Sequence, residues 1–150
     1  MKYKITEICI ALFIIAVLIG LAVGEIKVTR PEKEPTLTPE LQTIRAAAER
    51  NGIKYGSEDW FILLAIRKAE NGRPGLEFGI MHPKANDLDS QAGWCAASIV
   101  KNRQRWDGKG DFVEFMGRRY CPPNAHPLNK NWVGNVNYWK NELAKAQELK

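Results

Sequence analysis

One stretch, Trp60–Met81 (WFILLAIRKAENGRPGLEFGIM), limits the rest of the chain most. Trp60, Leu63, Leu64, Ile66 and Arg67 recur at intervals of three and four, so the spacing predicts a buried helix. Ser57 is its expected N-cap, with Glu58 and Asp59 in the first turn. The apolar run ends on Glu70, Asn71-Gly72 stops the helix, and Pro74-Gly75 turns the chain. At helical spacing Glu70 lies in line with Leu63 and Ile66, facing the core or a cleft beside it. The negative end of the helix dipole and the loss of water both disfavour its charged form. A carboxyl group held protonated in this way is what a general acid needs near neutral pH. Arg67 and Arg73 are the counterweight: either could pair with Glu70 and make it an ordinary ion-paired helix end.

The front of the chain restricts the folded part. Lys2 and Lys4 precede an unbroken apolar stretch from Ile8 to Gly24. With Ile5 and Thr6, about 20 residues at 1.5 Å each reach roughly 30 Å, the thickness of a bilayer's hydrocarbon core. Residues 1–24 are therefore expected to be a transmembrane anchor with the N-terminus inside and the rest outside. The small residues of Ala22-Val23-Gly24 also suit a signal peptidase, so a cleaved signal and a secreted domain stay open. Residues 25–38 mix charges with prolines and read as a tether. Residues 39–150 are left for a single domain of roughly 110 residues.

Within that domain the pattern is mainly helical. Thr38-Pro39-Glu40 supplies cap, N1 proline and first-turn acid for a helix to about Asn51, with Leu41, Ile44, Ala47 and Ala48 as its apolar stripe. Leu76–Met81 is too short and glycine-bounded for a helix and reads as a short strand or extended loop. Asp89 or Ser90 is expected to cap a helix to Trp106, with Trp94, Ala97 and Val100 inward and Lys101, Arg103 and Arg105 mostly outward. Asp111 caps a short helix into Tyr120, and a last helix runs from about Asn131 to Leu149 on Trp132, Val136, Trp139 and Leu143.

The 150 residues carry a formal charge of +5, which favours anionic surroundings without naming them. Of the three cysteines, Cys95 and Cys121 fall in the domain. In an exported domain they could close a loop of about 25 residues, worth about 3 kcal/mol by chain entropy; two free thiols are the equal alternative. His82 and His126 stand alone, so no metal site and no cofactor is expected.

Taken together, AIRKAENG with its terminal Glu, the nearby FGIM, the helix QAGWCAASIVKNRQRW and the later RRYCP resemble the lysozyme-like lytic transglycosylases and goose-type lysozymes, over about residues 40–140. The resemblance implies a lysozyme-like helical domain with little or no β-structure. It implies Glu70 as catalytic acid, with Gly79, Ile80 and Met81 lining the cleft and Tyr120 contacting the acid or the sugar. Phe78 and His82 flank that cleft strand and join the expected substrate contacts; apolar density makes Phe78 and Met81 equally natural core residues. Asn71 stands where the family usually has Ser, His82 where it has Gln, and the Glu70–Gly79 interval is shorter, which leaves room for altered specificity.

The activity implied is cleavage of the bond between N-acetylmuramic acid and N-acetylglucosamine in peptidoglycan. Glycosidases generally use two carboxylates, but in lytic transglycosylases the muramic C6 hydroxyl attacks C1, so one Glu serves as acid and then as base. A goose-type hydrolysis would need a second acid, for which Asp87, Asp89 and Glu77 are the candidates; each also reads as an ordinary loop or capping residue. The expected partners are glycan strands and, through the N-terminal segment, a bacterial or phage host's membrane. A glycan-binding or envelope-assembly protein that kept the fold without turnover is the alternative. Nucleic acid is not expected, since the basic residues do not gather on one helix face.

Overall fold

Five α-helices and one 3₁₀ turn make up the described part of the chain. The computed structural model describes residues 37–148. The expected anchor Ile8–Gly24 and the tether up to residue 36 lie outside the described residues, as does the expected helix end at Leu149. Among the described residues no helix is long and apolar enough to cross a membrane, and there is no strand.

The helices are α1 (Pro39–Arg50), α2 (Glu58–Glu70), α3 (Leu88–Arg105), α4 (Phe112–Tyr120) and α5 (Trp132–Glu148), the last preceded by the 3₁₀ turn Pro127–Asn131. Their starts follow the caps in the sequence. Thr38 Oγ1 accepts from Leu41 N, Ser57 Oγ from Trp60 N, and an Asp111 carboxylate oxygen from Glu114 N. Each bond satisfies a backbone donor that the first turn leaves unpaired.

One start differs from expectation. The cap of α3 is Asp87, not Asp89 or Ser90: its carboxylate accepts from Ser90 N at 2.7 Å while Ser90 Oγ accepts from Asp87 N at 3.2 Å. Asp89, freed from capping, pairs with Arg50 of α1.

Helix α2 runs through the middle of the domain, burying Trp60, Ile62, Leu63, Ala65 and Ile66. It packs mainly against α5, while α1 packs against α3. Ala47 and Ala48 of α1 and Ala92 and Ala96 of α3 are fully buried; side chains this small let the helix axes approach closely. That choice sets the phase of α3. Its buried stripe is Gln91, Ala92, Cys95, Ala96, Ile99 and Asn102, so Trp94, expected inside, is turned outward and is 44% exposed. Ala97 and Val100 are half-buried at the margin.

The loop between α2 and α3 decides what surrounds Glu70. Leu76–Met81, expected to be a short strand or an extended loop, is an irregular loop with one turn at Glu77-Phe78, and Phe78 is fully buried in the core. Asn71 ends α2 in the left-handed conformation at φ 44°, its N–H donating to the Arg67 carbonyl. The short polar side chain of Asn tolerates that conformation.

Candidate active site around Glu70

Glu70 is half-buried at the C-terminal end of α2. Neither nearby arginine neutralises it. Arg67 turns to Glu40 of α1, with Nε 2.9 Å from Oε1, and Glu70 has no ion-pair partner among the described residues. Its one hydrogen bond comes from the indole of Trp132, Nε1 to Oε1 at 2.8 Å. Burial pushes its pKa up and the Trp132 bond pulls it part of the way back. Oε2 accepts no hydrogen bond among the described residues and is not one of the buried oxygens lacking a partner, so it meets solvent.

Gly79 lies directly against that free oxygen. A Cβ at this position would sit 2.8 Å from the Glu70 carboxyl carbon and collide with Oε2. With φ at 69°, position 79 also adopts a conformation that side chains rarely take. Glycine therefore permits both the turn and the approach of backbone to acid.

Two side chains hold this segment in place. Tyr120 donates from its hydroxyl to the Phe78 carbonyl at 2.6 Å and stacks on Trp132, ring centroids 5.3 Å apart. Gln91, fully buried, accepts from Phe78 N and Ile80 N through Oε1 and donates through Nε2 to the carbonyls of Gly75, Ile80 and Ala85. A loop without regular structure has buried backbone groups that need partners; here one amide serves five of them.

Behind Glu70 the environment is uncharged and apolar. Burial lifts the Cys95 thiol to about 12, and the Tyr120 hydroxyl is likewise raised well above its ordinary range, mainly by burial. Cys95 and Cys121 are free thiols.

The other expected site residues divide. Gly79 lies against the acid. Ile80 is half-buried on the same loop and Met81 is 90% exposed. His82 is exposed and stacks on Trp94 with centroids 4.3 Å apart. Phe78, expected to touch substrate, is fully buried, so its side chain belongs to the core and only its carbonyl serves the site. Tyr120 bonds to backbone rather than to Glu70.

Two of the candidate second acids are engaged elsewhere: Asp87 caps α3 and Asp89 pairs with Arg50. Glu77 is buried, with Oε1 accepting from Gly75 N and Oε2 without a hydrogen-bond partner.

Trp132 and Gln91 were the residues that helical spacing missed. Trp132 reads as one more apolar position of α5, although a buried indole N–H needs an acceptor and a buried carboxyl is an obvious one. For Gln91 the available signal is a long amide followed by small residues at the start of α3. Among the described residues no three His, Cys, Asp or Glu side chains converge as a metal site would require. Three hollows of the surface lie apart from Glu70: one of about 390 Å³ beside Glu40, Arg67 and Glu77, one of about 360 Å³ along α3 beside Trp94, and one of about 450 Å³ between Arg105 and Arg118. In comparison with known proteins, no family model, no curated protein and no solved structure matches the chain.

Proposed function

We propose that this is a lysozyme-like domain that cleaves the bond after N-acetylmuramic acid in peptidoglycan as a lytic transglycosylase, with Glu70 as its single catalytic acid. The observation that carries the reading is the division of labour at the Glu70 carboxyl. Oε1 is fixed by the Trp132 N–H, while Oε2 accepts no hydrogen bond among the described residues and lies close against the Gly79 backbone. Burial raises the pKa, which favours the protonated form.

In this mechanism protonated Glu70 gives its proton from Oε2 to the glycosidic oxygen as the bond from C1 breaks. The carboxylate so formed then takes the proton of the C6 hydroxyl, whose oxygen bonds to C1 and closes a 1,6-anhydro ring. Electrons and protons balance, and Glu70 ends protonated. The Trp132 N–H stabilises the carboxylate between the two steps. Because Asp87 and Asp89 are occupied by capping and ion pairing and Glu77 is buried, a route that needs one acid is favoured over hydrolysis with two. Ile8–Gly24 as membrane anchor would place this activity on the outer face, against the wall.

A zymogram on purified murein tests the reading, comparing the chain with Glu70→Gln. Clearing by the former alone is expected, with 1,6-anhydro ends in the products by mass spectrometry. Equal murein binding with no soluble product from either would favour the non-catalytic glycan-binding alternative, and reducing ends would favour hydrolysis.

A further inference from the structure

The hollow along α3 has features that the catalytic reading does not use. Trp94, Lys101 and Arg105 all line it, and their spacing of seven and four residues places them in one stripe of the helix. The stripe is about 16 Å long at 1.5 Å per residue. Trp94 is a large aromatic left 44% exposed. The cations are equally unoccupied. Arg103 is taken by Asp59 and Glu58, and Arg50 by Asp89, whereas Lys101 and Arg105 make no ion pair among the described residues.

A third feature is polar and buried. Asn102 also lines the hollow and is only 4% exposed. Its Nδ2 donates to the Ser98 carbonyl at 2.8 Å, but Oδ1 has no partner. A buried acceptor without a donor costs free energy unless something supplies one.

We infer that this stripe of α3 is a binding site for an acidic glycopeptide polymer: a sugar ring rests on Trp94, and carboxylates of the attached peptide meet Lys101 and Arg105. Sugar rings present apolar C–H faces that aromatic rings accept, and carboxylates pair with Lys and Arg. The stripe is joined to the candidate active site by the α2–α3 loop. Gly79 lies against Glu70, and three residues later His82 stacks on Trp94. The identity of the polymer as murein rests on the function proposed above. Single-stranded nucleic acid also uses aromatic rings and cations, but it calls for a basic groove that follows a backbone, and here two cations stand beside one ring.

The test is co-sedimentation of the purified full chain with murein sacculi and with glycan strands stripped of peptide, alongside fluorescence anisotropy with a single-stranded oligonucleotide. Trp94→Ala is expected to weaken binding to both murein polymers by roughly tenfold, and Trp94→Phe by less. Lys101→Gln with Arg105→Gln is expected to weaken binding by roughly fivefold on sacculi and to have little effect on peptide-free strands. If Trp94→Ala lowers the melting temperature, Trp94→Phe and the double charge variant decide. Wild-type sedimentation by folded Trp94→Ala, equal losses by the charge variant on both polymers, or tighter oligonucleotide binding that depends on Lys101 and Arg105 would each overturn the inference. Clearing in the zymogram with Trp94-independent sedimentation refutes this site and leaves the catalytic reading. Trp94-dependent sedimentation without clearing does the reverse.

Discussion

The two ends of α2 treat their acids in opposite ways. At the N-terminal end Glu58 and Asp59 sit where the helix dipole welcomes negative charge, and Arg103 of α3 reaches both, Nη2 to Glu58 and Nε to Asp59 at 2.7 Å each. Lys140 of α5 adds a contact to Glu58 at 3.5 Å, and the Arg103 guanidinium lies 3.7 Å over the ring of Phe112. At the C-terminal end Glu70 faces the dipole's negative pole, is half-buried, and has an indole N–H in place of a cation. One end is arranged for stability. The other keeps a carboxyl group where its charge is disfavoured, which suits proton transfer better than folding.

The Glu70 end depends on a loop held by Gln91 and Tyr120, of which Gln91 makes the more bonds. Gln91→Ala removes the partner of five buried backbone groups, and the expected loss is about 3 kcal/mol of stability, since each group left unpaired carries a desolvation cost. Chemical denaturation would measure it. Murein clearing should fall further than stability does, because Gly79 would no longer be pinned against Glu70. A variant with unchanged clearing would mean that the loop is held by something else.

The opposite end gives the next effect. Arg103→Ala is expected to cost about 1 to 2 kcal/mol, from two partly exposed ion pairs and the packing of the guanidinium over Phe112. Clearing at a temperature well below the melting point should be unchanged. A loss of activity out of proportion to stability would erase the distinction between the two ends.

How much of this was legible in the sequence follows from what each feature depends on. The helices were legible, because caps such as Thr38, Ser57 and Asp111 and the three-and-four spacing of apolar residues are local. So was the position of Glu70 at the end of α2. The outward turn of Trp94 was not, because it depends on which face of α3 meets α1, and that is decided by alanines rather than by the largest side chain. Trp132 lies 62 positions from Glu70 along the chain, and helical spacing carries no information about such a pair. The pairing of Arg67 with Glu40 was hidden for the same reason: its competitor, Glu70, is three positions away on the same helix, while Glu40 arrives only when α1 packs.

Trp132→Phe isolates the one polar contact that Glu70 has. The ring is expected to keep its place in the core and its stacking on Tyr120, while the donor to Oε1 is lost. That bond lowers the Glu70 pKa, so its removal should raise the pKa further. The alkaline limb of the pH profile for murein clearing is expected to move upward. A downward shift would mean that the bond serves the neutral acid instead.

The smallest expected effect is on stability and has a definite sign. The Glu70 pKa in the folded chain is raised above its ordinary value of 4.5, so the folded state keeps this proton to a higher pH than the unfolded state does. Below the unfolded value both states are protonated, and the contribution of Glu70 to stability is fully present. As pH rises through the interval up to the folded value, the unfolded chain releases its proton first and that contribution is lost; above the interval it stays constant. Glu70→Gln has no such proton to release. The difference in melting temperature between the wild type and Glu70→Gln should therefore move against the wild type from about pH 4 upward and level off beyond the folded pKa. A difference moving the other way would place Glu70 among the ordinary stabilised carboxylates, and the two ends of α2 would then be alike.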